Sequence, residues 1–236
     1  IRELNTLVSV EAVELGAATV PEELVAAHSL VIVADGPLSH RVRLDGYCKK
    51  HGKAFFAAQA FGLAGALFVD LGNHTYRVET GQGENVKLSE PKLVEFPSLA
   101  ESLTARWDTL GDRWGSVPRD YVNYRILSEF QERTGRLPSP EDANDVFAIG
   151  KQLLASHGVL EERPKVSVSW SEGDASRLAA IAQASIAPVC AMLGGIIGQE
   201  VVKCISGKGE PVENWFVLEE VTEHGKTFRA PAAKKK

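Results

Sequence analysis

The stretch Ile186–Ile205, IAPVCAMLGGIIGQEVVKCI, restricts the possible folds more than any other part of the chain. Pro188 suits a first helical turn, where its missing N–H leaves nothing unsatisfied, and Gly207 follows the last apolar residue as a stop signal. Apolar residues surround this helix on every side until Gln199, Glu200 and Lys203, so its first three turns are expected to be covered all round, as in a core helix. The uncharged run from Ile186 to Gly198 is shorter than the roughly 20 residues that a bilayer-spanning helix needs. Ala191, Gly194, Gly195 and Gly198 set small residues at spacings of three and four, which lets another backbone approach closely. Two arrangements use that property: packing on a sheet of the same domain, or packing partly against another subunit.

Earlier segments alternate strand and helix signals. Residues 7–15 alternate as a strand, with Val8, Val10 and Ala12 on one face and Leu7, Ser9, Glu11 and Val13 on the other. Pro21 opens a short helix to His28, with Glu22 and Glu23 in its first turn as the helix dipole favours. The run Leu30–Ala34 reads as a buried parallel strand that stops at Asp35-Gly36-Pro37; a second helix reaches His51-Gly52, and Lys53–Ala58 is the next strand. This alternation predicts an α/β fold with a parallel sheet. Glycines at 62, 65 and 72 then interrupt a strand-like sequence, for which antiparallel strands joined at Gly72-Asn73 are expected. Residues 80–97, including Gly81-Gln82-Gly83-Glu84-Asn85, read as a polar connection.

A helical block follows. Pro118-Arg119-Asp120 leads into the stripe Tyr121, Tyr124, Ile126, Leu127 and Phe130, which ends at Thr134-Gly135. Ser139 as N-cap and Pro140 in the first turn start another helix, with Val146, Phe147, Ile149, Leu153 and Leu154 on its buried face and Gly158 as its end. A helix after Gly173-Asp174, carrying Leu178, Ile181 and Ala182, leads into the apolar helix. Asn214–Leu218 and Lys226–Arg229 are expected to close the chain as an antiparallel pair.

Catalytic chemistry is sparse. A nucleotide site of this fold class needs a glycine-rich strand-to-helix turn, and none is present: Gly81-x-Gly83 sits in a polar loop and Gly207-Lys208-Gly209 follows a helix. Cys48, Cys190 and Cys204 are odd in number and show no C-x-x-C spacing, which points to a reducing compartment and free, mostly buried thiols. Only Cys48 has basic neighbours, Lys49, Lys50 and His51, and a structural role is expected for all three. The six histidines, at 28, 40, 51, 74, 157 and 224, have no zinc-ligand spacing, and Trp107, Trp114, Trp170 and Trp215 read as core or interface anchors. Asp35 at a strand end is first a turn residue. A net charge of −5 argues against a general nucleic-acid binder, and an apolar fraction of 44% with 24% charged residues is that of a globular chain with a sizeable core. No catalytic, cofactor-binding or metal residue is assigned. Ile1-Arg2-Glu3-Leu4-Asn5 reads as the last turn of a helix, so an N-terminally truncated chain is expected, and Lys234-Lys235-Lys236 as a solvated basic end.

The segments Ala187-Pro188-Val189-Cys190-Ala191, Gly194-Gly195-Ile196 and Gln199-Glu200-Val201-Val202-Lys203 resemble the late helix of the ubiquitin-like-protein activating enzymes. Phe61-Gly62-x-x-Gly65 through Leu71-Gly72 resembles the same family, in the same order. The resemblance is specific at 61–72 and 186–205 and loose elsewhere, and within the family it is nearest to the small, non-catalytic subunits of SUMO-activating enzymes. It implies a partial Rossmann-like adenylation fold of the ThiF type in its inactive half, with a parallel sheet, antiparallel strands and a helical insertion. Residues 1–80 would be the C-terminal portion of the sheet, 81–172 the connection and helical insertion, and 173–236 the late helix and closing strands of the same domain.

The resemblance further implies a heterodimer with a catalytic large subunit, which would hold Mg-ATP and the thioester cysteine, and SUMO as the modifier reached through the complex. No cofactor in this chain, no nucleic-acid or membrane partner, and a nuclear and cytoplasmic location are expected. By motif position, Phe61, Gly62, Gly65, Pro188, Gly194, Gly195, Gln199 and Glu200 would lie at the subunit interface. The phosphate turn of the family, and an arginine that reaches into the partner's site, would lie upstream of Ile1. The alternatives are the inactive half of a single-chain ubiquitin-activating enzyme, for which residues 80–97 are too short to hold the usual insertion, and the NEDD8-activating subunit, which would carry a larger one. Outside the family stand the C-terminal part of a dinucleotide-dependent oxidoreductase and a stand-alone scaffold. A chain lacking part of its sheet would expose strand edges and apolar surface, so self-association is expected.

Overall fold

The computed structural model describes residues 3, 5–16, 19–81, 87–110, 117–159, 169–220 and 224–230. Strands β1 (Leu30–Ala34) and β2 (Ala54–Phe61) run parallel and are linked by helix α2 (Leu38–His51). A short helix α1 (Glu22–Ala26) precedes them, flanked by Pro21 as expected. Gly52 stops α2 at φ 63°, where its amide reaches back to the last-turn carbonyls. The chain then reverses at Gly62-Leu63 into β3 (Ala64–Asp70), antiparallel to β2. β3 pairs with β8 (Trp215–Leu218) and β8 with β9 (Gly225–Phe228), both antiparallel, giving a five-stranded mixed sheet of order β1-β2-β3-β8-β9.

The sheet is covered on both faces, which is why β2 and β3 are almost wholly apolar. Side chains alternate between the two sides. Phe55, Ala57, Ala66, Phe68, Trp215 and Val217 face one core, and Phe56, Ala58, Leu67, Val69, Phe216 and Leu218 face the other. The first core is closed by α2 and by the helical block: α3 (Leu99–Ser102), α4 (Arg119–Thr134), α5 (Ala143–Ser156) and α6 (Glu172–Ile181). Trp215 is its centre, with ring centroids of Tyr121, Phe68 and Tyr124 at 5.0, 5.1 and 5.4 Å. The second core lies under α7 (Ala187–Ser206) and a two-stranded arm.

Local signals set most boundaries. Ser98 and Ser171 cap α3 and α6 through reciprocal bonds with Glu101 and Asp174, and Gly135 ends α4 at φ 76°. Ser139 does form a capping box with Asp142, but around a single 3-10 turn, 140–142, so α5 begins at Ala143.

Four expectations are corrected. Residues 7–15 form no strand; they are irregular and mostly exposed, because alternation alone does not supply the paired strand that a lone extended segment needs. β1 is half-exposed instead of buried, with Ile32 at 48%, because it is an edge strand. The antiparallel reversal falls at Gly62-Leu63, whereas Gly72, at φ 63°, turns the chain out of the sheet into β4 (Asn73–Tyr76). β4 pairs with β7 (Lys92–Glu95), and β5 (Glu79–Thr80) with β6 (Lys87–Leu88), so the expected polar connection is a β arm. Residues 82–86, Trp114, the start of the chain at Ile1 and Arg2, and Lys234-Lys235-Lys236 lie outside the described residues.

Candidate functional site

α7 begins after Ile186, with Pro188 in its first turn, and ends at Gly207 in the left-handed conformation. Val189 and Leu193, one turn apart, sink into the core beneath it, and Ile196, Ile197, Val201 and Cys204 are half-buried at its flanks. Glu200 is also buried; its carboxylate accepts from the Val212 amide at 2.9 Å and pairs with Lys203, so an inward polar side chain is satisfied.

The opposite side of the helix is bare. Pro188, Cys190, Ala191, Met192, Gly194 and Gly195 are exposed, and the strip continues through Gly198, Gln199, Val202 and Ile205, the last two at 65% and 77%. The expectation of a helix covered all round is therefore corrected: the chain covers one face of α7 and leaves an apolar face in contact with solvent. An added Cβ on Gly194, Gly195 or Gly198 would meet nothing within 4 Å. Each glycine weakens a helix by about 1 kcal/mol relative to alanine, and no contact among the described residues needs these three to be glycine. A contiguous apolar surface with open glycines is shaped for close approach by a second body. By length and composition α7 also reaches the threshold for a membrane span, but its inner face is seated on the sheet.

The eight residues expected at a subunit interface divide into two groups. Pro188, Gly194, Gly195 and Gln199 lie on the bare face. Phe61, Gly62, Gly65 and Glu200 are buried within the chain and do not lie on that face. A Cβ on Gly65 would stand 2.5 Å from Leu193 Cδ1 and 3.3 Å from the Gln59 carbonyl oxygen, so this glycine lets α7 sit down on β3. Gly62, at φ 56°, donates its amide to Ala184 O at 2.9 Å and lies against Ile181, fixing the entry to α7. Gly65→Ala is expected to lower stability by about 1–3 kcal/mol, as overpacking does, and a urea titration reads it. An unchanged midpoint would mean that Leu193 moves aside freely.

Ligand crevices of α/β sheets lie beyond the carboxyl ends of the parallel strands. Here that place is filled. β1 runs into Asp35 at φ 71° and Gly36 at φ 104°, and the fully buried Arg41 reaches across from α2. Its guanidinium donates twice to Gly36 O, once to Gln59 Oε1 at 2.8 Å and once to the Tyr124 hydroxyl at 2.9 Å. The turn is thereby tied to β2 and α4, and the residues present do not form a nucleotide cradle. A second cleft, between α4 and α6, holds Arg119, Asp120, Asn123, Asp174, Arg177 and Glu220 around a cavity of about 20 Å³, room for one water. Its charges are paired inside the chain: Arg119 with Asp174, Arg177 with Glu220 at 2.5 Å, and Asp120 with the Glu220 amide at 2.9 Å. Among the described residues no three His, Cys, Asp or Glu side chains converge as metal ligands.

Burial, then the nearby Asp45 and Asp70, push the Cys48 thiol up to about 12, and burial raises Cys204 as well. Cys190 departs from the expected burial: it is exposed on the bare face of α7, its Sγ 3.3 Å from Ser185 Oγ. Trp107 and Trp215 are fully buried core anchors, and half-buried Trp170 donates to Phe147 O at 3.0 Å. Arg41 carried no recognisable sequence signal, since its partners lie on β1's exit, β2 and α4.

The whole chain, residues 1–236, matches the ThiF family. The chain belongs to the ThiF family. This ThiF chain is similar to SUMO-activating enzyme subunit 1 of Xenopus laevis, 28% identical over 250 residues that cover 95% of the chain and 70% of that protein. It is similar to SUMO-activating enzyme subunit 1B-1 of Arabidopsis thaliana at 29% over 234 residues, covering 96% of the chain and 67% of the relative. Against SUMO-activating enzyme subunit 1 of Dictyostelium discoideum it is 25% identical over 230 residues, with 95% and 66% covered. The α/β, Rossmann-like fold expected of a ThiF chain is the fold observed, with one parallel strand pair and the remaining pairs of the main sheet antiparallel.

Proposed function

We propose that this ThiF chain is the non-catalytic subunit of a heterodimeric SUMO-activating enzyme. The family's chemistry is ATP-dependent, and in this reading a larger catalytic subunit supplies the Mg-ATP site and the cysteine that receives SUMO as a thioester. The present chain completes the dimer and holds the catalytic half in shape. The observation that carries the reading is the bare apolar face of α7, with three open glycines flanked by Met192, Val202 and Ile205. The names of the relatives, SUMO-activating enzyme subunit 1, support it. Pro188, Gly194, Gly195 and Gln199 are the residues proposed to meet the partner, and the assembled enzyme is proposed to work in nucleus and cytoplasm. The filled crevice at Arg41 agrees with a chain that leaves nucleotide chemistry to its partner.

ATP–pyrophosphate exchange with purified SUMO tests this reading, using this protein alone and then mixed with the large subunit. Exchange in the mixture only is expected. Exchange by this protein alone would place the catalytic machinery on the same polypeptide and support a single-chain activating enzyme instead.

A further inference from the structure

A buried pair of carboxyl groups sits at the base of the β arm, away from the bare face of α7. Asp45, within α2, and Asp70, at the end of β3, are 1% and 2% exposed, and their side chains interact. Asp45 Oδ2 accepts from the Leu99 amide at 2.6 Å, while its Oδ1 is buried and receives no hydrogen bond. A carboxyl oxygen in that position is satisfied when it carries the proton itself and donates to its neighbour. Asp70 Oδ1 accepts from the Gly72 amide at 2.7 Å, and its Oδ2 pairs with Lys49 Nζ at 3.1 Å. Lys49 also donates to Phe96 O, and the Phe96 amide donates to Gly72 O at 2.8 Å. Asp70 therefore grips the entry to the arm, and Asp45 grips the chain just after its exit.

We propose that one proton shared by Asp45 and Asp70 clasps both ends of the β4–β7 arm against α2, and that its loss on the alkaline side loosens the arm. In the closed state Asp45 is the neutral acid, its Oδ1–H donating to the Asp70 carboxylate, whose charge Lys49 meets. Once the proton leaves to solvent, two buried carboxylates share one ammonium that is itself partly exposed, and the like charges repel. Lys49 on α2 bears on both carboxyls and Cys48 lies in their field, while Lys53 just after α2 acts on Cys48 and Glu101 on α3 acts on Lys49. Cys48 stays a neutral thiol, and Glu101, held low chiefly by the Ser98 amide, stays ionised, so neither supplies the proton of the clasp.

Burial first, and the Asp70 charge second, push the Asp45 carboxyl from its ordinary 3.8 up to about 7. The folded chain thus holds a proton that the unfolded chain has released. The resulting stabilisation is complete below the ordinary value and is lost as pH rises through about 7. The arm also bridges to the end of α7, where the Arg77 amide donates to Gly207 O and the Gly209 amide to Arg77 O, at 2.9 and 2.8 Å. A loosened arm therefore reaches the helix that carries the proposed interface.

Amide hydrogen exchange at Gly72, Phe96 and Leu99, corrected for intrinsic rates, tests the clasp between about pH 5.5 and 8.5. Protection is expected to fall at least about tenfold across that interval in the wild type and to stay flat in Asp45→Asn, whose amide donates to Asp70 without titrating. Flat protection in the wild type, or a fall that persists in Asp45→Asn, overturns the proposal. Carbon-13 titration of the wild-type Asp45 carboxyl needs no variant. A midpoint near 7 supports the clasp, and one near the ordinary 3.8 overturns it.

Discussion

Gly195→Leu is expected to make the isolated chain more stable and, at the same time, poorer at binding the catalytic subunit. A side chain at this position meets nothing within 4 Å, so the change relieves a helical glycine without crowding the core. The gain is about 0.5–1 kcal/mol from helix propensity, which corresponds to a thermal midpoint higher by roughly 1–4 °C in a chain of this size. In the proposed heterodimer the same leucine would hold the partner's backbone away from α7. Its loss of close contact is expected to weaken association by at least about tenfold, or about 1.4 kcal/mol. Scanning calorimetry of the chain and sedimentation of the mixed subunits read the two effects separately. Wild-type association would remove Gly195 from the interface, and a lowered midpoint would mean that this face of α7 is packed inside the chain. No destabilised variant mimics the expected pair of opposite signs.

Arg41→Met is expected to cost about 3 kcal/mol or more of folding stability. The substitution keeps much of the apolar stem but leaves Gly36 O, Gln59 Oε1 and the Tyr124 hydroxyl without their donor, in a place where the side chain is fully buried. Each orphaned buried group costs on the order of 1–3 kcal/mol, and the guanidinium also loses its position over the Tyr124 ring, 5.5 Å from the centroid. Arg41→Lys should recover only part of the loss, because an ammonium on a single stem cannot present a planar fork in three directions. A urea titration with unchanged slope measures both variants. A loss below about 1 kcal/mol would show that the Arg41 contacts are easily replaced by water.

The legible parts of the sequence were those decided within a few residues. Gly52, Gly135 and Gly207 mark helix ends in the left-handed conformation, so these boundaries needed no knowledge of the rest of the chain, whereas α6 begins at Glu172, capped by Ser171, just ahead of the start expected after Gly173-Asp174. The arm was not legible because β4 and β7 are four residues each and their pairing joins Asn73 to Glu95 across intervening chain. Residues 7–15 failed in the opposite way, since alternation describes a half-buried strand but cannot supply the neighbour that would bury it. For the site, periodicity identified α7 as apolar all round without showing what covers each side. The interface set taken from motif position held both Gly65, which makes room for Leu193, and Gly195, whose added Cβ would meet nothing within 4 Å among the described residues. Asp45 could not be read at all, because its meaning depends on Asp70, on a different element.

The middle of the sheet carries a consequence for biosynthesis. β3 ends at Asp70, and β8, the strand that covers its free edge, begins at Trp215, 145 positions later. At translation rates of about 5–20 residues per second, the ribosome takes roughly 7–30 s to bridge that gap. During that interval the nascent β1–α2–β2–β3 unit presents Phe55 and Phe68 without Trp215 against them and an unpaired β3 edge. Chaperone engagement of stalled nascent chains should therefore peak for lengths between these two strands and fall once Leu218 has cleared the exit tunnel.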